Sequence, residues 1–298
     1  MNIFALSRAL WRQHFYAAAL LLIASSTLSA QKSSGLGAGA EDLTSKIKQL
    51  RPSVVSIWVG GKRNGSGFVV SSSGDIMTAT HVIGTPYATP QGTLAVKYDT
   101  NIEVVFSDGT RLPATTVDVP VDIAAFDDSA MLKVDRVTPN FLKLSTKARE
   151  DGTPVLLMGF PLDLPNAVTY TGTIASHYQL PAGTLNGKVF SKSMIQVQAP
   201  IAKGFSGSAL VDYKTSEVIG IVEIKIGGIN ENLQNVAQQI QRGQQSGSSV
   251  SIMGVDPNAS LLQLIGVLDA YLSAGSGSAV SVEHIYAFAQ GRSAEKTR

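Results

Sequence analysis

Ser206 stands in the run Ala202-Lys203-Gly204-Phe205-Ser206-Gly207-Ser208-Ala209-Leu210, where small residues on both sides let a carbonyl substrate approach the backbone. A serine hydroxyl attacks a carbonyl near pH 7 only if a base takes its proton and donors receive the developing oxyanion. The N–H groups of Gly204 and Ser206 are the candidate donors in this turn. His81, in Thr78-Ala79-Thr80-His81-Val82, is the candidate base: it follows a short strand and precedes a Gly-Thr-Pro loop. Asp128 opens Asp128-Ser129-Ala130-Met131-Leu132-Lys133-Val134-Asp135 and is the candidate carboxylate for orienting the imidazole, ahead of Asp122. Singly, each has a bland counterpart: a Gly/Ser turn, a histidine at a strand end, a solvated edge aspartate. Jointly they describe nucleophilic acyl transfer. His14, His177 and His284 are read as structural or leader residues. No two histidines fall at close ligand spacing and the chain has no cysteine, so neither a metal site nor a cofactor is expected.

Three side chains so far apart in the chain must be brought together by a scaffold. From Val54 onward the pattern is one of short β-type runs broken by turn residues: Val54 to Val59, Gly67 to Val70, Ile76 to Thr78, Ile102 to Phe106, Met131 to Val134, Pro154 to Met158 and Val218 to Val222. Many short strands at close spacing indicate a sandwich or barrels. There is no βαβ rhythm, Gly-x-Gly-x-x-Gly after a strand, or phosphate-loop lysine, which disfavours a nucleotide-binding domain. Ahead of the strands, Glu41 to Leu50 carries Leu43, Ile47 and Leu50 at helical spacing.

The 298 residues are 44% hydrophobic and 15% charged, a globular composition that excludes intrinsic disorder. Arg8 and Arg12, the apolar run Phe15 to Ala24 and the small residues ending at Ala30 read as an export signal over residues 1–30. Residues 31–40 read as a flexible linker. Setting Arg8 and Arg12 aside leaves 22 bases against 22 acids, so charge gives no case for a nucleic-acid partner. The apolar run is too short to favour a span, and no stable membrane span is expected after signal cleavage. Export without cysteine fits the periplasm or medium of a bacterium, with a fold held by its core alone.

The segments Gly65 to Val70, Gly74 to Val82, Asp128 to Asp135, Gly204 to Leu210 and Glu217 to Ile221 resemble the chymotrypsin-fold serine peptidases, in particular the HtrA/Deg branch. The lead-in Arg51-Pro52-Ser53-Val54-Val55-Ser56-Ile57 is similar too. The resemblance covers about Glu41 to Lys225 and resumes at Ala279 to Phe288. It implies an all-β fold of two six-stranded antiparallel β-barrels (chymotrypsin-like) with a short N-terminal helix, a helical insertion and a C-terminal helix. Within a peptidase domain of residues 41–290, barrel one covers about 51–145 and barrel two about 150–290. The site would lie in the cleft between them, with His81, Asp128 and Ser206 as triad and the Gly204 and Ser206 N–H groups as oxyanion hole. Pro200 and Ile201, with Ile224 and Lys225 on the strand from Ile221, would frame the specificity pocket. Neither an acid at its base nor a histidine on its wall is seen, which favours an apolar residue before the scissile bond.

Three positions depart from that family's pattern: Ser208-Ala209 replaces Gly-Pro, Thr80 stands where a smaller or amide residue is common, and Glu223 falls where a Ser or Thr normally bonds the catalytic aspartate. Two carboxylates there could not both ionise cheaply, so either one holds a proton or Glu223 points elsewhere. Phe205 occupies the place of the aspartate that pairs with the new N-terminus of zymogen-activated relatives. Residues 228–276 form an insertion with two helical patterns, Asn230 to Arg242 and, capped by Asp256-Pro257, a second through Leu272. It reads as a helical pair packed on barrel two, or more sharply as a lid. Residues 291–298 read as a disordered tail, and no sequence after Phe288 can form a PDZ domain. The reading is an exported serine endopeptidase working on polypeptide substrates through an acyl-enzyme, in protein quality control, with an oligomer compatible. The alternative is a catalytically impaired protease-fold binding or chaperone-like protein; an esterase is disfavoured because no Gly-x-Ser-x-Gly elbow is present.

Overall fold

The computed structural model describes residues 36–90, 93–161, 164–185, 187–225, 231–245, 256–273 and 277–295; the leader read over 1–30 lies outside them. The chain divides after Ser45, and the unit from Lys46 to Arg298 holds both barrels. Helix α1 (Leu36–Leu50) begins inside the stretch read as linker. Leu36, Ala40, Leu43, Ile47 and Leu50 recur every three or four residues, so the helical period reaches back into the Gly/Ala-rich segment.

The first barrel uses nine strands: β1 (Val54–Val59), β2 (Lys62–Val69), β3 (Asp75–Ala79), β4 (Gly84–Ala88), β5 (Leu94–Tyr98), β6 (Ile102–Phe106), β7 (Arg111–Pro113), β8 (Thr115–Thr116) and β9 (Ser129–Lys133). Seven of them form one sheet in the order β7-β6-β1-β2-β3-β9-β8, with β4 and β5 as a separate hairpin. The end strands β7 and β8 are separated only by Ala114, so the sheet closes on itself through that residue and the ring counts as six strands. Short helices α2 (Thr80–Ile83) and α3 (Val121–Phe126) follow β3 and precede β9. Val55, Ile57, Phe68, Ile76, Met77, Val104, Met131 and Leu132 are buried and fill this ring.

The second ring is a closed six-stranded barrel, β10-β11-β12-β15-β14-β13. Its strands are β10 (Pro154–Gly159), β11 (Val168–Leu185), β12 (Lys188–Gln198), β13 (Ala209–Asp212), β14 (Val218–Lys225) and β15 (Gly277–Ser281). Closure leaves no edge of this sheet open to further pairing. Its core holds Val155, Leu157, Ile174, Val197, Leu210, Ile219, Val222 and Phe205, the last fully buried. The Phe205 ring stacks on Tyr170 with centroids 5.3 Å apart. Apolar burial thus anchors the turn that carries Ser206.

The insertion folds as α4 (Glu231–Gln245) and α5 (Pro257–Ser273). Asp256 Oδ1 accepts the N–H groups of Asn258 and Ala259, at 2.8 and 3.1 Å, and Pro257 opens the helix as a residue with no N–H to satisfy. Helix α6 (Glu283–Glu295) runs past residue 290 into the segment read as a disordered tail, where Arg292, Ala294 and Glu295 are good helix formers. Among the described residues no helix is long and apolar enough to cross a membrane. Phe205→Ala would empty a fully buried aromatic site and should cost about 3–5 kcal/mol of stability. Urea unfolding of the two proteins measures that loss.

Candidate active site

The pairing of β3 with β9 decides where His81 and Asp128 fall. The two strands are antiparallel with Ala79 opposite Ser129, so the residues just beyond this end of the ladder are Thr80-His81 on one side and Asp128 on the other. The contact continues past the strands. Thr80 N–H donates to the Asp128 carbonyl at 2.8 Å, His81 N–H donates to Asp128 Oδ1 at 2.8 Å, and the imidazole Nδ1–H donates to Asp128 Oδ2 at 2.5 Å. Asp128 has φ +51°, a left-handed conformation that aspartate tolerates better than most residues. With Nδ1 carrying the hydrogen, Nε2 is left as the basic nitrogen. Asp122, the weaker candidate, lies within α3.

The turn bearing Ser206 is held by the opposite barrel. Ser66 N–H donates to the Ser206 carbonyl at 2.9 Å, and Ser66 Oγ donates to the Gly204 carbonyl at 2.7 Å. The same Oγ accepts the N–H of Phe160 at 2.8 Å. Gly207 closes the approach: it has φ +82°, and a Cβ there would lie 2.2 Å from the Ser66 carbonyl and 3.0 Å from Ala79 N. The turn bearing Ser206 therefore rests directly on the backbone leading to His81. Among the described residues the N–H groups of Gly204 and Ser206 have no hydrogen-bond acceptor, whereas those of Phe205, Gly207 and Ser208 are all bonded. The half-buried Ser206 hydroxyl makes no hydrogen bond to His81. Such bonds are often long without substrate and tighten when it arrives.

Glu223 does not point away. It is buried beside the dyad and ion-paired with Lys192, their side chains 10% and 11% exposed. Burial pushes the Glu223 carboxyl upward; its bond to Lys192 and the lysine's charge oppose that, while the charge of Asp128 adds to it. For His81, burial pulls the imidazole down, but the Asp128 hydrogen bond and charge, with a smaller push from Glu223, outweigh it, so its pKa lies above 6.5. On the neighbouring side, His284 Nδ1 from α6 pairs with buried Asp127 Oδ2 at 2.6 Å. The sequence alone assigns no role to Lys192 or Ser66, and His284 reads there as structural. A polar residue within a glycine-flanked strand, Gly65-Ser66-Gly67, was the available signal for Ser66; Lys192 had none, because its partner is 31 residues away.

All three departures from the family pattern carry a buried side-chain oxygen without a partner among the described residues: Thr80 Oγ1, Ser208 Oγ and Glu223 Oε2. Of the expected pocket residues, Pro200 is exposed and Ile201 is 7% exposed. A Cβ on Gly277 would lie 2.1 Å from Ile201 Cδ1, so the isoleucine occupies the space beside that glycine. Ile224 and Lys225 are the last residues of β14, with Lys225 opposite Gly277.

Residues 65–221 match the family profile described as the trypsin-like peptidase domain. Mitochondrial HTRA2 serine proteases from Drosophila grimshawi and Drosophila virilis are each 32% identical over 164 residues, 55% of this chain. That aligned stretch is 34% and 35% of those proteins, so the chain spans about a third of the curated relatives it matches. Among solved structures, the active form of the Rv3671c protease from M. tuberculosis aligns with a TM-score of 0.53 at 19% identity, covering 83% of each chain. The HtrA-type protease AlgW with tripeptide aligns at 0.52 with 21% identity, covering 84% of this chain and 63% of that one. Both share the fold.

Two serine substitutions separate a clamp from an idle hydroxyl. Ser66→Ala strands the Phe160 N–H and releases the Gly204 carbonyl, and should cost about 1–3 kcal/mol. Ser208→Ala removes a hydroxyl with no partner and should be neutral or stabilising by up to about 1 kcal/mol. Thermal unfolding of both variants checks the contrast.

Proposed function

Because the chain belongs to the trypsin-like peptidase domain family, we propose that it is an exported serine endopeptidase that cleaves polypeptides through an acyl-enzyme on Ser206. The observation that carries the reading is the Asp128 grip on His81 Nδ1, which leaves Nε2 as the basic nitrogen, while the turn bearing Ser206 packs on the backbone that leads to His81. Nε2 takes the Ser206 proton as Oγ attacks the scissile carbonyl. Asp128 stabilises the imidazolium, and the unpaired N–H groups of Gly204 and Ser206 receive the oxyanion. The imidazolium then gives its proton to the leaving amine. Water, activated by the same nitrogen, hydrolyses the ester and returns the serine.

Ile201, seated against Gly277, supports a shallow pocket and a small or medium apolar side chain before the scissile bond. The leader read over residues 1–30 supports export to the periplasm or medium. Similarity to HtrA-type proteases extends the reading to protein quality control, with exported polypeptides as substrates. An oligomer is compatible with it.

Casein or peptide hydrolysis should disappear in Ser206→Ala, and Asp128→Asn should lower turnover by about 10⁴-fold while the protein stays folded. Because His81 acts only when neutral and its pKa is raised, kcat/KM should climb with pH through an inflection above 6.5. Polypeptide capture that survives Ser206→Ala, with no hydrolysis by the unaltered chain, would favour the binding or chaperone-like alternative.

A further inference from the structure

Lys192 and Glu223 reach the dyad from two strands of barrel two. Glu223 sits where β14 slips register against β15: Val222 faces Ala279 and Ile224 faces Ser278, leaving Glu223 as the extra residue of a bulge. Such bulges re-aim a side chain. Lys192 is carried by β12, whose Phe190 ring stacks on Phe126 of barrel one at 4.4 Å between centroids. Phe126 is two residues from Asp128, so the strand bringing the lysine is tied to the segment bringing the catalytic carboxylate. Neither charge is at the surface. A buried ion pair contributes little stability over an apolar pair of the same shape, while breaking it leaves one charge uncompensated.

We propose that Lys192 and Glu223 are positioning residues for His81 and Asp128: the lysine balances the second carboxylate, so that Asp128 alone holds the imidazole. This rests on the reading of His81 as the base for Ser206. His81 bonds Asp128 and feels the charges of Glu223 and Lys192; Glu223 pairs with Lys192 and feels those of Asp128 and His81; Asp127 pairs with His284 and feels those of Lys192 and of Glu283 from α6. Glu223 Oε2, buried without a partner among the described residues, is the atom through which an unbalanced carboxylate would compete for the imidazole. The pair sets two opposed charges beside the base, and either one alone would bias it.

The opposed signs make the test sharp. In the full chain, the protonation midpoint of His81 is followed by NMR of its ring, and the acid limb of kcat/KM is recorded beside it. Glu223→Gln leaves the lysine in place and should lower the midpoint by about 0.5–1 unit. Lys192→Met leaves the carboxylate and should raise it by a similar amount, while the double variant should return close to the original value. Glu223→Ser carries the same downward sign and serves if the glutamine variant does not fold. Single variants that leave the midpoint within about 0.2 unit, or that move it in the same direction, would overturn the proposal. An unaltered chain that hydrolyses no peptide would instead count against the peptidase reading, since the NMR midpoints judge the charge pair without turnover.

Discussion

Ser66 ties the two barrels together at the point where alignment matters most. Through its N–H and Oγ it holds the carbonyls on either side of Phe205, and the same hydroxyl satisfies Phe160. Fully buried, it cannot exchange these partners for water without cost. Gly207 permits the closeness, because any side chain there would enter the Ser66 carbonyl. Below the turn, Phe205 sinks into the barrel-two core. The turn bearing Ser206 is thus fixed from above by hydrogen bonds and from below by apolar packing, and its place relative to His81 follows from how β2 and β3 meet it.

Electrostatics around the dyad follow from low exposure and close spacing. A lone buried carboxylate is expelled or neutralised unless a cation or donors meet it. Asp128 meets backbone and imidazole N–H groups, Glu223 meets Lys192, and Asp127 meets His284. Three acids crowd together around His81, each with its own partner, and the partners come from α2, β12 and α6. The site's charge is therefore a tertiary property, assembled from elements that no local window of the chain contains.

That explains which parts could be read in advance. The triad candidates carry local signatures, a nucleophile among glycines and a histidine behind a strand, and the strand runs of Val, Ile and Leu mark both barrels. The Asp256-Pro257 cap is equally local. Lys192 looks like any strand-edge lysine, and only the bulge at Glu223 and the stacking of Phe190 on Phe126 bring it inward. The linker and tail boundaries differ for another reason: α1 begins earlier because Leu36 and Ala40 continue the helical spacing of Leu43, Ile47 and Leu50, and α6 ends later because Arg292, Ala294 and Glu295 are good helix formers.

The central claim is that one hydroxyl among the many serines of this chain is activated by its surroundings. Reaction of the folded protein with a fluorophosphonate, followed by mass mapping of the adduct, tests it without knowledge of any substrate. A single stoichiometric adduct on Ser206, absent after His81→Ala, is the expected result. A folded chain that takes up no label, or takes it up at other serines equally, would contradict the account.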